Sequence, residues 1–162
     1  NMPDMARDDL DQLRRAAESL GNTSFWGTKV DIQRQVAEAW ILFAEGNTND
    51  ALALMRLAAD REDLTEKSGV SPGPIAPARE LLGEMLLAAD LPGAALEEFK
   101  PAMNEEPGRF GALFGAAQAA EQIGDMGLAS AYYQTLLEIC ERADDEARDA
   151  LMHARESIAE NE

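Results

Sequence analysis

Side chains that commonly carry out catalysis are scarce in this chain. The sequence contains one histidine, His153, and one cysteine, Cys140, which lie thirteen residues apart on two successive predicted helices. Nucleophilic catalysis needs a base held against its nucleophile, and this pair offers one weak possibility. A multi-histidine transition-metal site is excluded by count. We therefore predict a protein without catalytic residues, metal or cofactor, in which His153 is solvated and Cys140 is a small buried residue.

Carboxylates are abundant, with 31 Asp and Glu residues against 14 Lys and Arg, giving a net charge of −17. Asp60, Glu62, Asp63 and Glu66 lie close together in sequence but lack the glycine and terminal glutamate of an EF-hand loop. The glycines of residues 69–73 are not followed by the Lys and Ser or Thr of a phosphate-binding loop. We interpret these acids as a solvated face and predict no calcium or nucleotide site.

The negative charge also limits the partners. Binding to nucleic acid or to an anionic membrane surface needs a basic footprint, so both are disfavoured and a basic or apolar protein fits better. No run of about 18 uncharged apolar residues and no charged-then-apolar leader is present, which predicts neither a membrane span nor a signal peptide. The compartment stays unknown, because the chain could be a fragment of a longer protein.

Apolar residues recur at steps of three and four, which is typical of amphipathic helices. This periodicity predicts eight helices, at about 3–20, 28–45, 49–65, 77–89, 92–106, 109–123, 126–142 and 146–161. Thr28, three residues before Asp31, predicts a capping box at the start of the second helix. Pro101 removes a hydrogen bond to the carbonyl of Glu97, which predicts a kink or a break in the fifth helix.

The helices repeat at a spacing of 34 residues. At this spacing Gly83 aligns with Ala117, Ala95 with Ala129, and Phe99 with Tyr133. A third copy joins the register if about ten extra residues are allowed between Asp63 and Pro77, and it contains Ala39, Gly46, Ala51, Met55 and Ala58. A fixed period of this length indicates stacked helix pairs, each of which buries its apolar face on its neighbours.

These residues resemble the tetratricopeptide repeat family. Its unit carries small residues, one bulky residue and a proline at set places, matched in residues 76–109 by Gly83, Ala95, Phe99, Ala102 and Pro107. Residues 32–65 match without the proline, and residues 110–143 match without the proline and with Leu136 in place of a small residue. The stretch from Glu66 to Gly83 resembles the C-terminal segment of uncharacterised bacterial proteins that contain such repeats. The resemblance implies an all-α, right-handed superhelical solenoid of antiparallel helix pairs that binds proteins or peptides.

We predict a single domain over residues 1–162. Its parts are an N-terminal helix and turn (3–27), repeats at 32–65, 76–109 and 110–143, an inserted loop (66–75) and a C-terminal cap helix (146–161). Prolines at 72, 74 and 77 stiffen the insert. Either it presents Lys67 and Arg79 beside a binding groove, or it is a spacer between helix pairs.

The resemblance implies that the first helix of each pair lines a concave groove. The partner-binding candidates there are Gln33, Trp40, Phe43, Glu80, Glu84, Leu87, Phe114, Gln118 and Glu121, with Val36, Pro77 and Gly111 beside them. Aromatic residues anchor interfaces and carboxylates orient basic partners, so the predicted ligand is a basic and apolar peptide or helix. The alternative for Trp40 and Phe43 is that both are core residues, since Val36 continues the same apolar stripe.

The predicted function is therefore noncatalytic protein or peptide binding, as part of a longer bacterial protein. The alternative is an assembly domain, which pairs with its own copy as a homodimer or with another part of its own chain. Solution mass across a range of concentrations discriminates between them.

Overall fold

A computed structural model describes residues 2–21, 24–65, 74–143 and 149–160 of the chain. Its helices are α1 (Met2–Leu20), α2 (Phe25–Ala44), α3 (Thr48–Asp63), α4 (Ala78–Ala88), α5 (Pro92–Glu105), α6 (Phe110–Gln122), α7 (Met126–Ile139) and α8 (Asp149–Glu160). The described ranges contain no β-strand. The protein is all-α, as predicted, and each helix lies within a few residues of its predicted bounds.

The chain forms two compact units, residues 1–85 and 86–162, with the unit boundary inside α4. In the first unit, α1 packs against α2 and α2 against α3. In the second unit, α5, α6, α7 and α8 pack in chain order, each against the next. Neighbours in sequence are thus neighbours in space, which is the arrangement of a helical repeat. The predicted limits of the individual repeats remain a prediction.

The residues that recur at the 34-residue spacing are the buried ones. At three equivalent places of the repeat, every member is buried: Ala39, Gly83 and Ala117; Ala51, Ala95 and Ala129; and Met55, Phe99 and Tyr133. At the first two positions the small residues let the helices approach closely. At the third position a large side chain fills the space between the helices. The spacing therefore marks packing positions, and the helical-repeat fold is confirmed.

The same turn joins the two helices of each pair. Its central residue has a positive φ in all three copies, 85° at Gly46, 59° at Asp90 and 81° at Gly124. The next backbone N–H donates to a carbonyl five residues back, from Asn47 to Leu42, Leu91 to Leu86 and Asp125 to Ala120, at 2.9 Å in each case. This is the Schellman ending of a helix, which usually requires glycine. Asp90 adopts this left-handed conformation although it is not a glycine.

The start of α2 differs from the prediction. Helix α2 begins at Phe25, where the Ser24 hydroxyl accepts a hydrogen bond from the N–H of Gly27 at 2.9 Å. Thr28 is already inside the helix, because its N–H donates to the carbonyl of Ser24 at 2.9 Å. The predicted capping box at Thr28 is therefore wrong. A Cβ on Gly27 would lie 2.1 Å from the carbonyl oxygen of Gly21, so a side chain at Gly27 would collide with the backbone of Gly21.

Helix α5 is continuous through Pro101, so there is no break, and the alternative of a kink at Pro101 stays a prediction. Ala95, Leu96, Phe99 and Ala102 are all buried and hold both sides of the proline on the core. Glu97, whose carbonyl loses its helical donor, lies on the exposed side. Water can hydrate a carbonyl on that side, which reduces the cost of a proline inside a helix.

Candidate partner-binding site

On α2, the predicted positions form one partly open face. Gln33 is exposed, Trp40 and Phe43 are half-buried, and Val36 beneath them is buried. The Trp40 and Phe43 rings meet edge to face, with centroids 5.8 Å apart. Such a pair stiffens both side chains and leaves part of each ring accessible. These aromatics therefore contribute to the core and also offer an apolar surface.

On α4, two carboxylates lie one helical turn apart. Glu80 is buried, with 6% of its surface exposed, whereas Glu84 reaches solvent. Partial burial, followed by repulsion from Glu80, raises the pKa of Glu84 above its ordinary value of 4.5. A cation beside these two groups would relieve the repulsion. The next candidate, Leu87, is half-buried and belongs to the second unit.

On α6, the three predicted residues Phe114, Gln118 and Glu121 are half-buried. The Phe114 ring stacks on Phe110 at 6.2 Å between centroids. It also lies 6.1 Å from the ring of Tyr133 on α7 and 6.1 Å from that of His153 on α8. The predicted α6 face is therefore in contact with the last two helices.

Glu121 is the centre of a hydrogen-bond cluster that joins α6, α7 and α8. Its Oε2 accepts from the Tyr133 hydroxyl at 2.8 Å and lies 3.0 Å from His153 Nε2, and its Oε1 accepts from the Ser157 hydroxyl. Burial opposes ionisation, but the hydrogen bonds from Ser157, His153 and Tyr133 outweigh it and lower the pKa of Glu121. Burial and the neighbouring Glu121 carboxylate raise the pKa of Tyr133.

His153 is therefore more than the solvated residue that the sequence predicts. Its side chain is 46% exposed, yet its ring also contacts Tyr133 edge to face at 5.6 Å. Cys140 packs against a cluster of apolar residues that includes Tyr133 and Leu136. It is half-buried there, so it is more exposed than the sequence predicts.

A second set of polar contacts ties the start of α4 to the end of α3. The buried Glu62 carboxylate accepts from the N–H of Ala78 at 2.6 Å. Arg79 donates to Asp63 and to Asp60, each at 2.6 Å. The Arg79 guanidinium is thus paired with acids of α3, and its predicted place beside the groove stays a hypothesis. Lys67 and most of the inserted loop lie outside the described residues.

Little in the sequence indicates the contacts that Glu121 and Glu62 make. His153 and Ser157 are four residues apart and so share a face of α8, which the sequence reveals. Their common acceptor, Glu121, is 32 and 36 residues away. Glu62 is one acid among many, and its burial appears only when α4 packs beside it. In the part of the chain that the structure describes, no group of three or more His, Cys, Asp or Glu residues could hold a metal ion.

The fold and these faces define an all-α helical-repeat protein. No protein-family model matches the sequence, and no curated protein matches it. Among solved structures, the chain is similar to the crystal structure of PcrH from Pseudomonas aeruginosa, with a TM-score of 0.61 and 15% sequence identity. The match covers 80% of this chain and 90% of that chain, and it shows a shared fold. None of the described helices is long and apolar enough to cross a membrane.

Proposed function

We propose that this protein is a noncatalytic scaffold that binds a basic and apolar peptide or helix of another protein. The observation that carries the proposal is the pair of faces in the first unit: the half-open Trp40–Phe43 pair on α2 and the exposed Glu84 on α4, which lies beside the buried Glu80. The rings provide apolar anchoring area, and the Glu84 carboxylate favours a Lys or Arg side chain. The shared fold with PcrH fits a helical scaffold and identifies no partner.

The faces of the two units differ in availability. On α6, the predicted contributors Phe114 and Glu121 are already engaged by side chains of α7 and α8. On α2 and α4, Gln33 and Glu84 are exposed. The α2 and α4 residues are therefore the stronger candidates for direct partner contact.

A peptide-display selection on the whole chain tests this proposal. We expect the selected peptides to combine Lys or Arg with large apolar residues. Their affinity for a folded Trp40→Ala, Glu84→Lys variant should fall at least about tenfold, since buried interface aromatics are typical binding hot spots. Leu57→Ala and Glu138→Lys are the controls, because both residues are exposed and lie outside the proposed faces and outside the α1–α2 region. Unchanged affinity in the double variant would contradict the proposal.

One observation favours the alternative of self-association. Leu20 ends α1, Phe25 and Trp26 begin α2, and these three apolar residues are 46%, 38% and 57% exposed. The Phe25 and Trp26 rings meet edge to face at 5.1 Å, so they form a compact apolar patch. Light scattering over about a hundredfold concentration range distinguishes the two cases. A persistent dimer that Trp26→Ala dissociates would support assembly, and a monomer throughout would leave the scaffold proposal standing.

A further inference from the structure

Helix α8 makes the contacts that a bound foreign helix would make. His153 and Ser157, one turn apart, both bond to the Glu121 carboxylate of α6. The His153 ring also lies against Phe114 and Tyr133. Leu151 and Ala154 are buried in the adjoining apolar cluster. The rings of Phe114 and Tyr133, the Glu121 carboxylate and the adjoining apolar cluster lie together. They form a helix-binding site, and α8 occupies it.

Helix α8 is short and is held partly by apolar packing. It has 12 residues, its buried side chains are Leu151, Ala154 and Ser157, and Ile158 packs against the same apolar cluster. Met152, His153, Arg155, Glu156, Ala159 and Glu160 are exposed. Isolated helices of this length are marginal in water, so α8 depends on these contacts to remain helical. Helix exchange thus requires the loss of this apolar packing and of the hydrogen bonds to Glu121.

We propose that α8 is an intramolecular occupant of a helix-binding site formed by Phe114, Glu121 and Tyr133, and that an amphipathic partner helix displaces it. The partner carries a hydrogen-bond donor such as His, Lys or Arg and a hydroxyl four residues later, with Leu and a small residue on the same face. This inference rests on the proposed scaffold function and adds a site in the second unit to it. Because α8 competes for that site, the intact chain binds partners there more weakly than the site alone would.

The competition can be measured on the whole chain with a labelled peptide of residues 149–160. In the unmodified protein, α8 is present at an effective concentration of about millimolar, so the peptide should bind poorly. The His153→Ala, Ser157→Ala variant weakens the protein's own α8 and leaves Glu121 in place. We expect this variant to bind the peptide at least about tenfold more tightly. Adding Glu121→Gln should abolish the gain, because the acceptor for both donors is altered.

Hydrogen exchange of the α8 amides shows whether the helix has been released. If the proposal holds, the α8 amides exchange faster in the double variant, whereas the α6 and α7 amides stay protected. Unchanged α8 protection would overturn the proposal, because the Glu121 contacts would then not be what holds the helix. Equal peptide binding by the unmodified and double-variant proteins would also overturn it. The α8 variants Met152→Ala and Glu156→Ala are controls that should behave like the unmodified chain, since both residues are exposed.

A Trp40→Ala variant separates this inference from the broader proposal. Trp40 lies in the first unit, so the gain in binding of the α8 peptide should persist when Trp40 is removed. Failure of the display selection would reject the α2 and α4 faces and leave this result standing. Failure of the peptide experiment would reject displacement of α8 and leave those faces untouched.

Discussion

Gly115 on α6 lies directly against the ring of Phe99 on α5. A Cβ built on Gly115 would be 2.3 Å from Cζ of Phe99, well inside van der Waals contact. Phe99 is fully buried, so its ring cannot swing away into solvent. The closeness of these two helices therefore depends on the absence of one methyl group.

Gly115→Ala should destabilise the protein even though alanine favours helix. Overpacking a core costs about 1–3 kcal/mol, whereas replacing a glycine inside a helix gains about 0.5–1 kcal/mol. We expect a net loss of roughly 1–2 kcal/mol in the free energy of unfolding, measured by chemical denaturation. Gly93→Ala on α5 is the matched control, since a Cβ there meets nothing within 4 Å, and it should be neutral or stabilising. An equal response of the two glycines would contradict the packing argument.

Asp90→Gly should stabilise the turn between α4 and α5. Asp90 has a φ of 59°, where Gly46 and Gly124 occupy the equivalent places. The left-handed conformation costs an ordinary residue about 1–2 kcal/mol, and a glycine removes this cost in the folded state. Glycine also has more conformational freedom in the unfolded chain, which offsets about 0.4–1 kcal/mol of that gain. We expect a net gain of about 0.5–1 kcal/mol in the free energy of unfolding. Gly124→Asp, the reverse change at the equivalent turn, should lower it.

Glu62→Ala should weaken the start of α4. The buried carboxylate satisfies the N–H of Ala78, and its removal leaves that donor without its carboxylate partner at a helix N-terminus. Loss of such a cap costs about 0.5–2 kcal/mol. Asp63→Ala removes an exposed contact with Arg79 and should cost less than about 1 kcal/mol. Faster hydrogen exchange in the first turn of α4 for Glu62→Ala, but not for Asp63→Ala, would locate the effect.

Glu121 should make stability depend on pH in acid. Its folded pKa is below the ordinary value of 4.5, so the folded state binds this proton less readily than the unfolded chain does. The stabilisation is therefore fully present above about pH 4.5 and is lost as the pH falls through the folded pKa. We expect Glu121→Gln to cost roughly 1–2 kcal/mol at neutral pH, because hydrogen bonds to a charged group are lost. Denaturation at several pH values should show this difference shrinking towards zero in acid, and a constant difference would contradict the assignment.

Much of the fold could be predicted because its signals are local and repeated. The step of three and four residues located the helices, and the 34-residue spacing located residues such as Ala95 and Tyr133, which the structure buries. The differences from the prediction concern local features, namely where α2 begins and whether α5 breaks. Ser24 caps α2 four residues before the predicted capping residue, and α5 continues through Pro101 without a break because its buried face holds it.

The candidate site was less predictable. The resemblance supplied positions on α2, α4 and α6, but position on a helix face does not reveal whether another helix covers that face. Glu121 and Glu84 are both acids on first helices, yet Glu121 is engaged by Tyr133, His153 and Ser157, whereas Glu84 reaches solvent beside Glu80. Their different surroundings give the two carboxyl groups pKa shifts of opposite sign.

The sequence by itself determined the all-α class, the order of the helices and the buried stripe of each, because helix formation and amphipathic spacing are set by residues within a few turns. Only the tertiary structure decided the contacts between residues distant in sequence. Arg79 binds acids of α3, Gly115 lies against Phe99, and α8 bonds to Glu121. These contacts depend on how helices approach in space, since an acid or a glycine does not encode its distant partner.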